Sequence, residues 1–493
     1  MVGQVYRPRR PKESPLWQCL CAHFYDFIQA YPEKYEKKYG FLKPVVEDVV
    51  NNYLDCGDLT KGFARIYCEN CKKSMLLPFS CKGRWFCPSC HEKKVLLFGE
   101  FITGTIAFPV PHRQYVFSLP IMLRVYFRNN RQLLKKLCRI ANECLLEFLR
   151  RSLNRPDGQL GMVMTIHTFG DYMRYNSHIH ALVADGLFTD NGMFYVAPKV
   201  STRPLEQLFR VRVIQMLVKE ELLAPEMARK LLGWKHSGFS VHNGKPLRRD
   251  DAAGLERVAQ YIIRNPFSEQ KMVYNAENGT AIYRSRMHAK TKRNFEIFSA
   301  EEFIAAITQH IPDKGFQMVR YYGWYSNRAR GERARREAEP GAPETTDVID
   351  VSEYHPPRIP SKKWRELIKK VWEVDPLICP HCGAEMKLIA LLDDPAVIEK
   401  ILRHLKLWPE RPESACMPGR SLSAKAGLSR APPPTGVDRV IEPFFDDPFP
   451  DYPVTTLSRG TGLTWRHRTG HGLRERPRLR GVRGLPASGA EWG

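Results

Sequence analysis

Two histidines separated by one apolar residue, His178-Ile179-His180, are the best candidates in this sequence for binding a catalytic metal ion. Successive side chains of a β-strand point to opposite faces, so both imidazoles would point the same way while Ile179 enters a core. The segments MVMTIH and ALVA are apolar and partly β-branched, and GDYMRYNS between them contains turn formers. The pattern predicts two strands joined by a loop, with paired metal ligands. The alternative is one solvent-facing histidine and one hydrogen-bonded within a sheet.

A second candidate metal site lies nearer the N-terminus. It consists of two Cys-x-x-Cys pairs, namely Cys68, Cys71, Cys87 and Cys90. Each pair places two thiolates at a tight turn, and four thiolates complete the tetrahedral shell that structural zinc prefers. The sequence therefore predicts one structural zinc ion bound by these four cysteines. Cys56 and Cys81 lie close by and compete as ligands, and four buried reduced cysteines are the alternative.

The composition favours a polyanionic partner. The 493 residues include 76 Lys and Arg against 53 Asp and Glu, which gives a formal net charge of +23. No apolar run approaches the roughly 18 residues that a membrane-spanning helix needs, so a membrane partner is not expected. The N-terminal segment MVGQVYRPRRPKESP lacks the apolar core of a signal peptide, which predicts a cytoplasmic protein. In that compartment the thirteen cysteines are expected to bind metal or pack in cores rather than form disulfides.

Basic and aromatic residues are interleaved in two places, in the segment around the cysteine pairs and in VRYYGWYSNRARG. Such surfaces suit phosphates and unstacked bases, so both segments are candidate single-stranded-DNA contacts. The alternatives are a solvated basic face in the first segment and a buried aromatic cluster in the second. The candidate DNA-binding residues are Arg84, Trp85, Arg320, Tyr321, Tyr322 and Arg328.

Periodicity indicates mixed helices and strands between these motifs. QYVFSLP is predicted as a strand, and LRVYFRNNRQLLKKLCRIANECLLEFLRRSL as one long basic amphipathic helix. Residues 203–233 and 251–264 are predicted as further helices, the latter capped by Asp250 or Asp251. A hairpin is predicted with its turn at Asn278-Gly279.

The C-terminal region contains a third cysteine pair. Cys379-x-x-Cys382 is half of a zinc site, and its candidate partners are His381, His404 and Cys416. The charged and Pro-rich residues 331–360 are predicted as a linker, and the Pro, Gly, Ser and Arg-rich residues 412–493 as a disordered basic tail.

Four blocks resemble those of the rolling-circle insertion-sequence transposases of the HUH endonuclease superfamily. They are GDLTKGFARIYCENC, SCKGRWFCPSC, HTFGDYMRYNSHIHALVADGLF and VRYYGWYSNRARG. The resemblance covers roughly residues 20–405, in the family's order. It implies an α+β fold, with a central antiparallel sheet flanked by helices and preceded by a helical, zinc-ribbon-like module. The expected domains are 1–110 with zinc, 111–330 with the nuclease, the linker 331–360, a small helical segment 361–411, and the tail 412–493.

The resemblance also implies a mechanism and its residues. The family nicks and rejoins single-stranded DNA through a 5′-phosphotyrosine, and the helix that carries its nucleophile corresponds to the one containing Tyr261. Two-tyrosine members have a second tyrosine four residues later, where this chain has Asn265, so it resembles the single-tyrosine branch. His178 and His180 would hold catalytic Mg²⁺ or Mn²⁺. His167, Asp171 and Asp185 are candidates for a third ligand, and His167 ranks first.

Three functions therefore compete. The first is a transposase acting on single-stranded or hairpin element ends, with oligomerisation possible. The second is a plasmid replication initiator or relaxase-like nickase, which shares the nuclease fold, although the leading zinc module and VRYYGWYSNRARG favour a transposase. The third is a non-catalytic zinc-dependent DNA-binding protein, which the presence of His178, His180 and Tyr261 disfavours. The sequence contains no Walker loop, so ATP-driven chemistry is not supported.

Overall fold

A computed structural model describes residues 11–83, 85–285, 287, 292–337 and 375–409. The described part has antiparallel sheets flanked by helices, which confirms the predicted α+β class. Some predictions lie outside the described residues, namely Arg84 as a DNA contact, the linker beyond residue 337, the part of the helical segment 361–411 before residue 375, Cys416 as a ligand and the tail 412–493.

The helices and strands follow in chain order. The described α-helices are α1 (Pro15–Lys34), α2 (Glu36–Tyr39), α3 (Pro44–Leu54), α4 (Pro88–Phe101), α5 (Arg124–Asn129), α6 (Gln132–Leu153), α7 (Arg203–Lys219), α8 (Pro225–Gly233), α9 (Ala252–Ile262), α10 (Ala300–Thr308), α11 (Asn327–Glu337) and α12 (Pro395–His404). The described strands are β1 (Phe63–Tyr67), β2 (Ser74–Pro78), β3 (His112–Ser118), β4 (Gly161–Phe169), β5 (Tyr175–Ala184), β6 (Gly186–Phe188), β7 (Phe194–Val196), β8 (Ser240–Asn243), β9 (Met272–Asn275), β10 (Thr280–Arg284), β11 (Phe295–Ser299), β12 (Val319–Gly323) and β13 (Lys387–Leu392).

The central sheet has the strand order β12-β4-β5-β3-β8, and its neighbouring strands are antiparallel. Every residue of β4 is buried, as expected for an interior strand covered on both faces. The main hydrophobic core includes residues of this sheet and of α6 and α7. Leu133, Leu137 and Cys144 recur at helical spacing on the buried face of α6. The predicted strands around the histidine pair therefore lie at the centre of the fold.

A second core lies around the N-terminal helices. There α1 packs against α10 and β9, and the latter belongs to the three-stranded sheet β11-β10-β9. The turn between β9 and β10 confirms the predicted hairpin, because Gly279 adopts a left-handed φ of 61° that suits a residue without a Cβ. Helix α10 begins with a capping box formed by Ser299 and Glu302.

The hairpin of β1 and β2 forms a third region, and β13 pairs antiparallel with the free edge of β1. Residues 375–409 therefore contact the N-terminal module instead of forming the separate segment predicted for 361–411. The physical reason is that β1 exposes unpaired backbone groups on the edge away from β2, and β13 satisfies them. We call the β1–β2 hairpin, β13, α12 and the cysteine-bearing segments at the base of the hairpin (Cys56 and residues 81–90) the zinc module.

Several boundaries differ from the sequence predictions. The single helix predicted for 203–233 is divided into α7 and α8, since Glu221 has a left-handed φ of 58° and Pro225 restricts the residue before it. The long helix predicted after β3 is likewise divided at Asn130, between α5 and α6. Helix α11 extends to Glu337, so the predicted linker does not begin at residue 331.

Among the described residues, no helix has both the length and the apolar character required to cross a membrane.

Candidate active site and metal centres

The antiparallel pairing of β4 with β5 brings three histidines together. His167 lies directly opposite His178, and His180 lies two residues further along the same face of β5. Their candidate ligand nitrogens all lie within 4.8 Å of one another, and all three residues are buried. We call His167, His178 and His180 the histidine centre.

Hydrogen bonds to the second ring nitrogen orient these imidazoles. His178 Nδ1 lies 2.8 Å from the carbonyl oxygen of Asn176, so its N–H donates there and leaves Nε2 with a free lone pair. His167 uses the opposite nitrogen, because its Nε2–H donates to the carbonyl of Ile262 at 2.6 Å. His180 Nδ1 lies 2.8 Å from the side-chain amide nitrogen of Gln114. A flip of this amide places its oxygen there instead, and Nδ1–H then donates to that oxygen and leaves Nε2 free.

The residues of the histidine centre fit a divalent cation. His178 Nε2 and His180 Nε2 are 3.1 Å apart, and neighbouring ligands of an octahedral ion with bonds of about 2.1 Å are separated by about 3 Å. His167 Nδ1 is buried and has no hydrogen-bond partner among the described residues. A buried nitrogen without a partner is costly unless an ion binds it. Three ligands leave coordination positions open, as in catalytic sites.

Burial keeps these imidazoles neutral, which is the form that binds metal. Desolvation lowers the pKa of His178 to about 4 and that of His180 to about 3. It also lowers the pKa of His167 well below its usual value, and the neighbouring histidines add to this effect. At neutral pH all three therefore offer lone pairs without first losing a proton.

The two carboxylates weighed as alternative third ligands lie elsewhere. Asp185 forms a two-pronged ion pair with Arg113, with oxygen–nitrogen distances of 2.9 and 2.7 Å. Asp171 accepts a hydrogen bond from Ser285 Oγ at 3.2 Å. Neither belongs to the histidine centre, which leaves His167 as the third ligand that the geometry supports.

Tyr261 lies in the last turn of α9, beside the histidine centre. Asp251 caps this helix, accepting a hydrogen bond from the backbone N–H of Gly254 at 2.8 Å. The Tyr261 ring is 5.5 Å from the His180 ring, centroid to centroid, and nearly perpendicular to it. The residue is 42% exposed, so it is accessible from solvent. The Arg264 guanidinium carbon lies 4.5 Å from the centroid of the same ring.

Asn265 does not continue the tyrosine helix. The helix ends at Ile262, so position 265 is not one helical turn beyond Tyr261 on the same face. Both polar atoms of the Asn265 amide are buried without a hydrogen-bond partner among the described residues.

Two histidines hold the end of α9. His167 donates to the carbonyl of Ile262, and His91 Nε2 lies 2.6 Å from the next carbonyl, that of Ile263. His91 belongs to α4, directly after Cys90, and its Nδ1 accepts the backbone N–H of Trp85 at 3.1 Å. One of the two residues belongs to the histidine centre and the other borders the cysteines, so both regions fix the helix that carries Tyr261.

The structure corrects the predicted grouping of Cys68, Cys71, Cys87 and Cys90. Cys68 and Cys71 lie at the tip of the β1–β2 hairpin, whereas Cys87 lies near its base. Five residues of strand separate the two ends by about 16 Å, so one ion cannot reach both pairs.

The four thiols at the base come from three segments of the chain. Two of them, Cys56 and Cys81, are the residues that the sequence offers as competing ligands. Cys56 Sγ lies 3.9 Å from Cys87 Sγ and 3.8 Å from Cys90 Sγ, and Cys81 Sγ lies 3.6 Å from Cys90 Sγ. Tetrahedral zinc with bonds of about 2.3 Å requires sulfur atoms about 3.8 Å apart. The donor set therefore fits structural zinc.

A cleft of about 610 Å³ lies where the base of the zinc module faces β12 and α11. Its lining includes Trp85, Arg320, Tyr321 and Tyr322, which are four of the six predicted DNA contacts. Trp85 and Tyr321 are largely enclosed, and burial raises the pKa of the Tyr321 hydroxyl, so they serve partly as packing. Arg328 lies outside the cleft lining and pairs with Glu332 on α11.

Sequence reasoning missed three residues around the active site. Gln114 and Arg264 have no motif of their own. The only signals were that Gln114 belongs to a neighbouring predicted strand and that Arg264 follows Tyr261 by three residues. His91 follows a cysteine pair and could be mistaken for a zinc ligand, whereas its nitrogens bind backbone groups.

Two family models match the chain. A transposase zinc-binding domain matches residues 27–119, and a putative transposase domain matches residues 161–333. The transposase for insertion sequence element IS801 of Pseudomonas savastanoi pv. phaseolicola is 24% identical over 373 residues, which span 72% of this chain and 85% of that protein. The putative transposase y4qJ of Sinorhizobium fredii is 24% identical over 330 residues, or 62% of this chain and 81% of its own length. No solved structure matches significantly. With both domains in the order that the motifs predicted, the chain belongs to the IS91 family of insertion-sequence transposases.

Proposed function

We propose that this transposase nicks and rejoins single-stranded DNA in rolling-circle-type transposition, with Tyr261 as its single nucleophile. The observation that carries the proposal is the position of an exposed tyrosine, whose ring lies 5.5 Å from the His180 ring of the histidine centre. A nucleophile beside a divalent-cation site is the arrangement that phosphoryl transfer requires.

The chemical step balances without an external energy source. The Tyr261 oxygen forms a bond to the scissile phosphorus, and the bond between that phosphorus and the 3′ oxygen breaks. The phenolic proton passes to solvent, and the departing 3′ oxygen takes a proton from water. Reversal by a free 3′-OH rejoins the strand, because transesterification conserves the phosphodiester energy.

The chain's own residues divide the work. His167, His178 and His180 would hold the cation, and Gln114 and the Asn176 carbonyl fix the orientation of two of these rings. A bound Mg²⁺ or Mn²⁺ would supply positive charge beside a non-bridging oxygen of the phosphate, and imidazole ligands favour Mn²⁺ in vitro.

Arg264 is the further cation at the tyrosine. Its guanidinium lies over the rings of Tyr261 and Phe169, at 4.5 and 5.4 Å from their centroids. A guanidinium in that position can bind the scissile phosphate and stabilise negative charge that develops on the phenolic oxygen.

The cleft between the base of the zinc module and β12 would bind the strand. Its lining includes the cations Lys82, Lys94, Lys314, Arg320 and Arg330. These cations suit the phosphate backbone, and Tyr322 at the edge offers a ring to an unstacked base. The preferred DNA is accordingly single-stranded or hairpin, and the enzyme would act in the cytoplasm, with a second protomer able to supply another tyrosine.

A plasmid initiator or relaxase-like nickase would share this site, and the DNA substrate separates it from a transposase. His167 Nδ1 is buried and lacks a hydrogen-bond partner within the described part of the chain, which argues against a non-catalytic DNA-binding protein, since such a protein has no use for a third ligand in this position.

The His178→Ala, His180→Ala double variant tests the proposal. Cation-dependent nicking of single-stranded element ends should be lost at every Mn²⁺ concentration, while DNA affinity stays within about twofold because Lys and Arg make the phosphate contacts. His242→Ala is the matched control, since His242 lies on β8 of the same sheet outside the histidine centre. Nicking that persists in the double variant would show that the histidines are structural.

A further inference from the structure

Four thiols at the tip of the β1–β2 hairpin form a cluster that the zinc-binding family match does not contain. Cys68 Sγ lies 3.5 Å from Cys382 Sγ, and Cys71 Sγ lies 3.4 Å from Cys379 Sγ. All four sulfur atoms lie within 4.8 Å of one another. Cys379 and Cys382 lie outside both matched regions, 27–119 and 161–333.

The two cysteine pairs have the same backbone conformation. The N–H of Cys68 donates to the carbonyl of Lys73, five residues on, at 2.8 Å. The N–H of Cys379 donates to the carbonyl of Ala384, also five residues on, at 2.8 Å.

The residue after each second cysteine is left-handed as well. Lys72 has a φ of 59° and Gly383 a φ of 72°. For a lysine this conformation is unfavourable, so something in the turn must compensate. Two facing turns of this kind direct four sulfur atoms towards a common centre.

The separations are longer than a disulfide bond and close to those around a metal ion. A disulfide requires sulfur atoms about 2.05 Å apart, whereas tetrahedral zinc requires about 3.8 Å. We infer that Cys68, Cys71, Cys379 and Cys382 bind a second structural zinc ion, distinct from the one at Cys56, Cys81, Cys87 and Cys90. The protein then binds two zinc ions in closed four-thiolate shells.

The second ion would link two segments of the chain, one that precedes the catalytic region and one that follows it. Its ligands are separated by 308 positions in the chain, and β4, β5 and α9 all lie between them. The apolar cluster that accompanies the site is small, with Ile66 and Leu77 packing against Leu377 and Met386. A cluster of this size supplies little stability without a metal. Zinc therefore holds residues 375–409 against the N-terminal module.

Zinc stoichiometry of the full-length protein tests the inference. Measurements use the His178→Ala, His180→Ala background, so that the histidine centre contributes no zinc. The parent should contain two equivalents. Cys379→Ala with Cys382→Ala should contain one, Cys68→Ala with Cys71→Ala should contain one, and the variant that combines all four changes should also contain one. Cys138→Ala with Cys144→Ala, two buried cysteines of α6, should retain two.

The combined variant is the decisive comparison. Retention of two equivalents after loss of Cys379 and Cys382 would overturn the inference. So would loss of both equivalents in the combined variant when each pair alone removes one, since the two pairs would then serve separate ions.

A measurement on the unaltered protein covers variants that fail to fold. Under stepwise chelation, thiol alkylation read by mass spectrometry should label Cys379 and Cys382 in the same step as Cys68 and Cys71, and in a different step from Cys87 and Cys90. Labelling of Cys379 and Cys382 before any chelator is added, with Cys68 and Cys71 still protected, would contradict a shared ion.

Discussion

The histidine centre and the zinc module would bind metal in opposite ways. The three histidines come from two paired strands and are all buried, whereas Cys71 and Cys379 are 308 positions apart and Cys382 is exposed. Three ligands leave room for a phosphate oxygen, while four thiolates leave none. The fold therefore separates the proposed catalytic site from the proposed structural zinc sites.

Removing metal from each region gives the largest expected effect. Structural zinc sites contribute on the order of 10 kcal/mol of apparent binding energy, so a strong chelator should lower the thermal midpoint of the zinc module steeply. The His178→Ala, His180→Ala variant should lose nicking, yet melt within a few degrees of the parent. Differential scanning calorimetry with and without chelator measures the two melting temperatures, and a nicking assay measures the loss of activity. If the histidine variant unfolded and chelation changed nothing, the assigned roles would be reversed.

Cations of the cleft should affect binding and leave the chemical step alone. Arg320→Ala removes one phosphate contact, so affinity for single-stranded DNA should fall and the slope of log affinity against log salt should decrease by about 1. Arg328→Ala is the matched control, because Arg328 lies outside the cleft lining and pairs with Glu332. Fluorescence anisotropy at several salt concentrations gives both slopes. Equal slopes for the two variants would remove the cleft from the proposed DNA path.

His91 connects the two regions and should have the smallest effect. His91→Gln retains a donor for the Ile263 carbonyl, whereas His91→Asn retains only the acceptor for the Trp85 N–H. A small displacement of a nucleophile costs about 10- to 100-fold in rate. The Asn variant should therefore lose about 10-fold in nicking rate with unchanged zinc content and DNA affinity, and the Gln variant should retain most of it. Equal rates would show that His91 does not position Tyr261.

The histidine centre could be predicted from the sequence more fully than the thiol sites. Strand alternation places His178 and His180 on one face, and pairing of neighbouring strands brings in His167, so this site follows from local rules. The thiol sites depend on where a hairpin turns back and on a strand from the far end of the chain. Spacing alone therefore predicted Cys68, Cys71, Cys87 and Cys90 as one shell, when the hairpin length keeps the pairs apart.

Helix boundaries show a similar limit. The helical pattern of residues 203–233 continues through Pro225, and only the left-handed Glu221 reveals where α7 ends. The position of Tyr261 was predicted from the family resemblance, whereas its contact with Arg264 and its support by His91 require the folded chain.

The most direct test of the account is to identify the residue that becomes covalently attached to DNA. Purified protein is incubated with single-stranded element ends and Mn²⁺, and the trapped adduct is digested and mapped by mass spectrometry. We predict a 5′-phosphotyrosyl peptide containing Tyr261. In Tyr261→Phe the adduct should disappear, with nicking reduced on the order of 10⁴-fold or more and with DNA affinity unchanged. An adduct at Tyr274, Tyr283, Tyr321 or Tyr322, or one that persists in Tyr261→Phe, would contradict the assignment.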